Sequence, residues 1–523
     1  MARTLWCPRT RPVSRWVGVV LAVTSVVPVP IATRGDAGRD ATLERLKREI
    51  EQLRKDRDEQ EKRLKHLERQ LRRLQHGKDE SPNQPSAASP AQALDRALES
   101  RTSEVETTPP SPPPLWAGNI AGAPLRLLDL SLDTMVAAGA STATDRELEG
   151  RLQAGGHDPI RRGFTLQQAE LSLMGAVDPY LTGEAHILFS SHGAELEEAF
   201  MTTTSLPHGL QMEAGLMLTE YGLINPLHPH AWDWIDQPVI ISRLLGPEGL
   251  RSPGIRVGWL TPLPWFSEFH VGAQNANEGE FTPSFLATDA VGGRPGLRTS
   301  TRSLADLLYL GRWENFWSLT STTGLKVGTN LLHGPNSTGA DGETWIYGVD
   351  LKVRWRPESN FRGWPFFLWQ TEVHKRDYTA AFYLPPEEGG LIENALAAGL
   401  WPRDAETPED GASEIPAEPI GRAILRDVGF YSQALYGFRY GWAAGLRLEF
   451  ASGKGASVGG RPNYPLRSDR LRLSPLLVWH PTEYSRLRLQ YNYDRAQFLP
   501  ERNAHTVWLS AEILYGRHPA HKY

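Results

Sequence analysis

The strict alternation of side chains over residues 344–356 constrains the fold of this chain most. The segment reads TWIYGVDLKVRWR, and every second residue from Trp345 to Trp355 is apolar. The intervening positions become charged towards its end: Asp350, Lys352, Arg354 and Arg356. Because successive side chains of a strand point to opposite faces, the segment has one apolar and one charged face. Large aromatics at both ends of the apolar face are typical of a strand that crosses a lipid bilayer.

Similar segments recur across residues 123–523, so we expect an all-β transmembrane barrel of about 16 antiparallel strands. The predicted strands begin near Leu125, Phe164, Leu181, Leu196, Leu210, Ile255, Trp265, Leu304, Phe316, Trp345, Phe366, Phe430, Trp442, Arg470, Ser485 and Thr506. Short connections rich in turn residues alternate with mostly longer ones, as they do in outer-membrane barrels. An even number of strands returns both ends of the barrel to the rim of the short turns, which is the periplasmic rim.

Tryptophans flank several of the predicted short turns. The flanking pairs are Trp259 and Trp265, Trp313 and Trp317, and Trp355 and Trp364, with Glu314–Asn315 assigned to the second turn. Aromatics on both sides of tight turns form a belt at the membrane–water interface. The alternative fold is a large soluble β-sandwich or propeller, which would not require tryptophans beside successive turns on one rim.

Three segments precede the predicted barrel. Residues 1–37 combine arginines with an apolar run at Trp16–Val27, which is typical of a secretory signal peptide, and a membrane anchor is the alternative. Residues 38–76 carry leucines at heptad spacing, which predicts a periplasmic α-helical coiled coil. Residues 77–122 are rich in proline and serine, which predicts an extended linker.

Further features concern partners and location. The segment 63–68, RLKHLE, resembles the trimerisation signature of parallel three-stranded coiled coils, so we expect a homotrimer, with a dimer or a single helix as alternatives. The net charge of −5 over 523 residues does not indicate nucleic-acid binding. The final residue, Tyr523, resembles the signal by which the barrel-insertion machinery recognises outer-membrane proteins. The predicted location is the bacterial outer membrane, with membrane lipid around the barrel.

The charged alternate positions of the predicted strands are expected to line the pore. They are Asp350, Lys352, Arg354, Arg356, Glu372, His374, Arg376, Arg447, Arg470, Arg472, Arg486 and Arg488. Basic residues outnumber acids in this set, and a basic wall attracts anions. The alternative is that these residues are hydrated wall residues that pair across strands.

The segment 221–253 is too apolar to remain in water. We expect it to fold into the barrel as a constriction loop, with the following residues at the constriction: Trp232, Asp233, Trp234, Asp236 and Arg243. His228, His230 and Asp233 are candidate ligands of a divalent metal, because imidazole and carboxylate suit zinc. Plain packing of the loop is the alternative, and no other cofactor is expected.

This layout resembles that of trimeric porins with an N-terminal periplasmic coiled coil, which include phosphate-selective and dicarboxylate-selective families. The resemblance implies passive diffusion of small solutes, anions among them. Residues 225–233 together with 236–238 also resemble outer-membrane proteins described as zinc-regulated TonB-dependent receptors. Two alternatives follow: zinc-related uptake or sensing, and a structural barrel that links the outer membrane to the cell wall. No Gly-x-Ser-x-Gly or His-Glu-x-x-His motif is present, and no enzyme activity is expected.

Overall fold

The computed structural model describes residues 116–120, 123–190, 193–287, 290–383, 419–455 and 467–516. The predicted signal peptide, the coiled coil, most of the linker and the terminal aromatic lie outside the described residues. The described residues all belong to one compact unit. Within the described ranges, no helix is long and apolar enough to cross a membrane.

The described residues are mainly β-strands. The strands are β1 (Trp116–Ile120), β2 (Ala123–Ser141), β3 (Gly163–Ala176), β4 (Leu181–Ser190), β5 (Gly193–Thr203), β6 (Leu210–Leu218), β7 (Arg251–Leu260), β8 (Phe266–Gln274), β9 (Leu308–Ser318), β10 (Thr323–Pro335), β11 (Glu343–Trp355), β12 (Phe366–Ala380), β13 (Ala423–Arg439), β14 (Trp442–Lys454), β15 (Arg470–Thr482), β16 (Ser485–Ala496) and β17 (Asn503–Gly516). The helices are α1 (Asp145–Leu148) and α2 (Val239–Leu245), with 3-10 turns at Pro207–Gly209, Pro229–Ala231, Gly279–Phe281 and Leu304–Asp306.

Strands β2 to β17 close into an antiparallel barrel. Each pairs with its neighbours in sequence, and β17 pairs with β2 from Thr506↔Ser141 to Gly516↔Ser131. The barrel therefore has 16 strands, as the alternation predicted. Strand β1 pairs with the first residues of β2, from Ile120↔Ala123 to Trp116↔Leu128. The end of the segment expected to be linker is thus a strand.

One predicted turn is wrong. Glu314 and Asn315 lie inside β9, and the turn to β10 follows at residues 319–322. The polar pair looks like a turn in the sequence, but the Glu314 carboxylate is buried and is 2.9 Å from Arg312 Nη2 and 2.8 Å from Lys326 Nζ. An interior ion pair accounts for polar residues in the middle of a strand.

The two faces of each strand differ as the alternation predicts. In β11, Ile346 and Asp350 are buried, whereas Tyr347 and Val349 are exposed on the outside. Exposed aromatics also stack across neighbouring strands, as in the pairs Phe269–Trp313 and Trp442–Trp479, with ring centroids 5.3 and 5.5 Å apart. The outer surface of the barrel is therefore apolar and rich in aromatics, and the charged set faces inward.

A barrel of this strand number encloses more space than its wall side chains can fill. Residues 219–250, which connect β6 to β7 and are called the inner loop from here on, pack against the inward-facing side chains of the wall. A buried apolar cluster joins inner-loop residues to wall residues of β9 to β14; its members include Trp232, Ile240, Ile241, Leu244, Leu310, Leu332, Ile346, Tyr431 and Ala451. The main core of the molecule therefore lies inside the barrel.

Candidate functional site

The inner loop begins with polar contacts to strands β10 to β12. Tyr221 Oη is 3.1 Å from His374 Nδ1, and the Ile224 backbone N–H donates to Glu372 Oε1 at 3.1 Å. Beside them, Arg312 Nη1 is 2.8 Å from Asp350 Oδ2. Three residues expected to line the pore, Asp350, Glu372 and His374, are thus buried beneath the start of the loop.

Asp236 is the centre of a second set of contacts, called the arginine attachment. Its buried carboxylate accepts a hydrogen bond from Arg447, and from Arg472 Nη1 at 2.9 Å, Gln490 Nε2 at 2.8 Å and Asn492 Nδ2 at 2.7 Å. Burial alone would raise the pKa of Asp236, but the guanidinium groups of Arg447 and Arg472 outweigh it and hold that pKa well below its ordinary value. This attachment ties the inner loop to strands β14, β15 and β16.

The predicted pore-lining arginines around this attachment all have acidic partners on the wall. These are Arg447 with Glu449 (2.8 Å), Arg470 and Arg472 with Asp494 (2.8 and 2.9 Å), Arg376 with Asp427 (2.7 Å), Arg488 with Glu512 (3.2 Å), and Arg486 with Glu512. A paired guanidinium contributes much less field to a lumen than an isolated one. The excess of basic residues in the sequence therefore overstates the positive charge of this part of the wall.

Three other predicted pore-lining cations lie on β11 and the residue after it, towards the short-turn rim. Lys352 and Arg356 are half-buried, and Arg354 is exposed. Lys352 also interacts electrostatically with Asp233 of the inner loop. These three cations are less buried than Arg376, Arg447, Arg470, Arg472 and Arg488.

The Trp234 ring packs against the wall at Gly445, which has no side chain. A Cβ atom at Gly445 would lie 2.9 Å from the Trp234 ring, so only glycine leaves room for the indole there. The indole Nε1 donates to the Ser474 carbonyl at 3.0 Å. Around it is a buried apolar patch of wall residues: Leu435, Ala443, Leu476 and Val478. The inward face is therefore not polar throughout, because the loop covers part of it.

The remaining residues expected at the constriction have separate positions. Trp232 is in the apolar cluster, and its Nε1 donates to the Leu227 carbonyl at 3.1 Å. Arg243, on α2, donates to the Ser468 carbonyl at 3.1 Å. The five residues expected at the constriction thus belong to different contacts of the loop with the wall.

A third set of contacts, called the histidine attachment, joins the loop to β3, β4 and β5. It consists of His228 and His230 from the loop and Glu170, His186, Glu197 and Glu198 from the wall. His228 Nδ1 is 3.1 Å from Glu170 Oε2 and 3.3 Å from Glu197 Oε2, while its Nε2 is 2.6 Å from Glu198 Oε2. His230 Nδ1 is 3.2 Å from the same Glu170 oxygen, and His186 Nδ1 is 3.2 Å from Glu170 Oε1.

Asp233, the expected third ligand beside His228 and His230, does not belong to this cluster. The donor group that these histidines form contains Glu170 instead. Asp233 interacts with Lys352, Arg486 and Arg488. These cations attract the carboxylate, whereas Glu170 reaches the histidines from β3.

A β-bulge explains why two successive glutamates face the same way. The pairing of β4 with β5 runs from His186↔Glu198 to Ile187↔Leu196 and so passes over Glu197. Both Glu197 and Glu198 are buried inside, although strict alternation would place one of them outside. Alternation in the sequence therefore could not show that Glu197 and Glu198 both face inward. The only indication in the sequence is the three glutamates of the stretch GAELEEAF.

A second group of titratable side chains lies on β8 and β9: Glu268, His270 and Glu314. Guanidinium groups already contact it, because Arg256 Nη1 is 3.1 Å from His270 Nδ1 and Arg312 Nη2 is 2.9 Å from Glu314. This group resembles the histidine attachment in composition but includes its own permanent cations.

Comparisons with known proteins do not identify the family of this chain. No family model matches it. An uncharacterized protein of Aquifex aeolicus is 28% identical over 376 residues, which cover 71% of this chain and 73% of that protein.

Among solved structures, the outer membrane channel DcaP of Acinetobacter baumannii has a TM-score of 0.44 and 10% identity, covering 74% of this chain and 97% of that one. An anion-selective porin from Comamonas acidovorans has a TM-score of 0.42 and 6% identity, covering 74% and 99%. OmpF of Salmonella typhi has a TM-score of 0.41 and 8% identity, covering 76% and 100%.

Proposed function

We propose that this chain is an outer-membrane channel for the passive diffusion of small solutes. The observation that carries the proposal is the reversal of polarity across a closed barrel of 16 strands. An apolar, aromatic-rich outside suits lipid, and a charged inside suits water. Such a barrel is wide enough to leave an aqueous path unless something fills it.

The inner loop is the constriction of this channel. Its backbone contacts separate parts of the wall, since the Gly222 N–H donates to Asn330 Oδ1 on β10 and the Ile235 N–H donates to Gln490 Oε1 on β16. The histidine attachment adds a contact on β3 to β5. A segment fixed on three sides leaves a narrow passage, so the solutes are small.

A moderate preference for anions follows from the short-turn rim. Most of the predicted pore-lining arginines have acidic partners, so they add little to selectivity. Lys352, Arg354 and Arg356 lie where a solute would leave the constriction towards the periplasm, and their charge favours anions there.

The assembly that we propose is a homotrimer. The predicted coiled coil of residues 38–76 would hold three barrels together from the periplasmic side. Deleting residues 43–75 should weaken the trimer without unfolding the barrel, and an unchanged trimer on native gels would show that the barrel walls suffice.

Single-channel recording in planar bilayers tests the channel function. We expect stepped conductance with closures in three levels from the full chain. Replacing residues 223–249 by a short Gly-Ser linker should raise the conductance several-fold, because it removes the constriction. The control is Lys375→Gln on the outer face of β12, which should conduct like the wild type. Absence of conductance in both the wild type and the loop replacement, with folded barrels, would remove the channel proposal.

A second candidate is a barrel closed by its loop, with a structural role between outer membrane and cell wall. The extent of the buried contacts between inner loop and wall favours it. Conductance by the loop replacement together with a silent wild type would select this candidate over an open channel.

A further inference from the structure

We propose that the histidine attachment binds one divalent transition-metal ion of the zinc class through His228, His230 and Glu170, and that the bound ion fastens the inner loop to strand β3. The binding part of this proposal stands independently of channel activity. The fastening part rests on the proposed function, because it concerns the constriction of the channel.

The spacing of the donor atoms suits such an ion. In a tetrahedral zinc site with bonds of about 2.0–2.1 Å, neighbouring donor atoms are roughly 3.3 Å apart. Glu170 Oε2 is 3.1 Å from His228 Nδ1 and 3.2 Å from His230 Nδ1. The three donor atoms lie within 4.8 Å of one another. The side chains thus need only small movements to surround an ion.

The three ligands come from rigid or short elements. His228 and His230 are the residue before and the central residue of the 3-10 turn Pro229–Ala231, and Glu170 is in the middle of β3. The proline restricts the backbone between the two histidines, which reduces the entropy lost when both bind one ion. Two histidines and one carboxylate with a further position for water or another donor are a common zinc ligand set.

The groups behind the ligands are those that orient metal-binding side chains. His228 Nε2 is 2.6 Å from Glu198 Oε2, so the ring nitrogen opposite the proposed metal contacts a carboxylate. Glu170 Oε1 accepts a hydrogen bond from Ser172 Oγ at 2.9 Å and is 3.2 Å from His186 Nδ1. A carboxylate behind a ligating histidine fixes the ring and raises its basicity.

The buried carboxylates of the site favour the binding of a cation. Glu170, Glu197 and Glu198 are all buried, and burying carboxylates costs free energy unless positive charge balances them. In the described part of the chain, the ion-pair contacts of Glu170 and Glu198 are with histidines. Arg251 Nη1 is 3.6 Å from Glu197 and balances only that edge of the cluster. A divalent ion would supply the missing positive charge.

Space for a small species adjoins the cluster. A cavity of about 10 Å³ is lined by Glu197, Pro229, His157 and Glu248 among others. His157 Nε2 and Glu248 Oε2 lie 2.7 Å apart on its wall but are not aligned for a hydrogen bond. A volume of this size holds about one water molecule beside Glu197, at the edge of the cluster.

The group Glu268–His270–Glu314 offers an internal comparison. It also brings a histidine and two carboxylates together, but Arg256 and Arg312 contact it. A dication beside two guanidinium groups would be repelled, so this second group should not bind metal. His270→Asn is therefore a matched control for the proposed site.

Metal binding is measured on the full chain folded in detergent, stripped with a chelator and titrated with zinc in competition with a chromophoric chelator. We expect one ion per chain. His228→Asn should weaken zinc binding by at least about 100-fold, and Glu198→Gln by about 10- to 100-fold. His270→Asn should leave the affinity unchanged. Equal zinc affinity in wild type and His228→Asn, or loss of binding in His270→Asn, would overturn the site.

Cobalt, which has visible absorption bands that depend on its ligands, provides a second readout. The wild type and His270→Asn should give the same spectrum of a bound ion with nitrogen and oxygen ligands, and His228→Asn should not. The mobility of heated and unheated protein in gels shows that each variant is folded. A folded His230→Asn variant that kept the wild-type cobalt spectrum would contradict the ligand assignment.

Single-channel recording then separates the two proposals. If the ion fastens the constriction, zinc should reduce fluctuations of the wild-type conductance and have no effect on His228→Asn. Zinc binding without any change in the conductance of an active channel would overturn the fastening role. A protein that binds zinc but conducts in no variant would instead overturn the channel function and leave the metal site intact.

Discussion

Two of the three sets of contacts that hold the inner loop, the arginine attachment and the histidine attachment, differ in chemistry. In the arginine attachment, Asp236 contacts Arg447 and Arg472, whose guanidinium groups remain charged over the whole accessible pH range. In the histidine attachment, Glu170 contacts His228 and His230, whose rings are charged only when protonated. Both regions are buried, but only the first has permanent positive charge among its direct contacts to the loop.

Because of this difference, the arginine attachment is called the fixed anchor and the histidine attachment the conditional anchor. The arginine attachment needs nothing from outside the chain, because each carboxylate already has its guanidinium partner. Burial alone would lower the pKa of His228, but the carboxylates of Glu170 and Glu197 outweigh it and raise that pKa well above its ordinary value. The histidine attachment therefore takes up positive charge, from protons or from the metal ion proposed above. The attachment at Asp236 should therefore be permanent, and the attachment at His228 and His230 should depend on conditions.

Removing the fixed anchor should have the largest effect on stability. Asp236→Ala leaves Arg447 with only Glu449 and Arg472 with only Asp494, and it removes the acceptor of the Gln490 and Asn492 amides. We expect it to lower the free energy of unfolding by about 3–5 kcal/mol. Denaturant titration of the detergent-folded protein measures the change. The control is Asp377→Ala, whose partners Lys375 and Arg426 are both at least half exposed, with an expected loss of about 1 kcal/mol or less. A similar loss of stability in Asp236→Ala and Asp377→Ala would show that the arginine attachment is no stronger than an exposed ion pair.

A second substitution tests how much the packing of Trp234 against the wall, beside the arginine attachment, contributes to stability. Trp234→Phe removes the hydrogen bond to the Ser474 carbonyl and part of the contact with the apolar patch. We expect a loss of about 1–3 kcal/mol in the free energy of unfolding. The comparison variant is Trp313→Phe on the outer surface, where detergent or lipid replaces the lost contact. An equal loss in the outer variant would show that the loop adds little to stability at this point.

The pH dependence distinguishes the anchors further. The pKa of Asp236 lies below its value in the unfolded chain, about 3.9, so its contribution to stability is complete above that pH. As the pH falls below about 4, the unfolded chain takes up the proton first, and the contribution decreases by up to about 1.4 kcal/mol per pH unit. Unfolding free energies of wild type and Asp236→Asn between pH 7 and pH 3 should converge in acid. Parallel curves would contradict the assigned charge state.

The smallest expected effect concerns charge that belongs to neither anchor. Lys352→Glu at the short-turn rim replaces a positive wall charge with a negative one. It should shift the reversal potential in a salt gradient towards cations by on the order of a few millivolts. Lys375→Glu, on the outer face of β12, is the matched control and should not shift it. A shift of the same size in the control would mean that the rim cations do not set selectivity.

Much of the fold could be predicted from alternation alone, because burial on a barrel strand follows a period of two. The position of β11 and the inward direction of Asp350 followed from this pattern. The turn at Glu314–Asn315 was predicted wrongly, since an interior ion pair and a turn use the same polar residues. The apolar patch around Leu435 on the inner face of the wall was not predicted, because the loop that covers it is distant in sequence.

The candidate site was only partly predictable. His228 and His230 were recognisable because two histidines flank a proline in an apolar loop. Their carboxylate partner was not, since Glu170 is on a strand that precedes them and faces them only after the barrel has closed. Asp233 was predicted as the third ligand because it is near in sequence, but it interacts with Lys352, Arg486 and Arg488 instead.

The sequence by itself determined the strand array, since each strand has its own apolar and polar faces whatever its neighbours are. Only the tertiary structure decided which charged side chains contact one another inside the barrel. The bulge at Glu197 turns two successive carboxylates inward, and Gly445 leaves room for Trp234, and neither effect can be derived from a period of two. The charges of the two anchors come from strands on different sides of the barrel. Barrel closure and the path of the inner loop therefore select partners that no local pattern encodes.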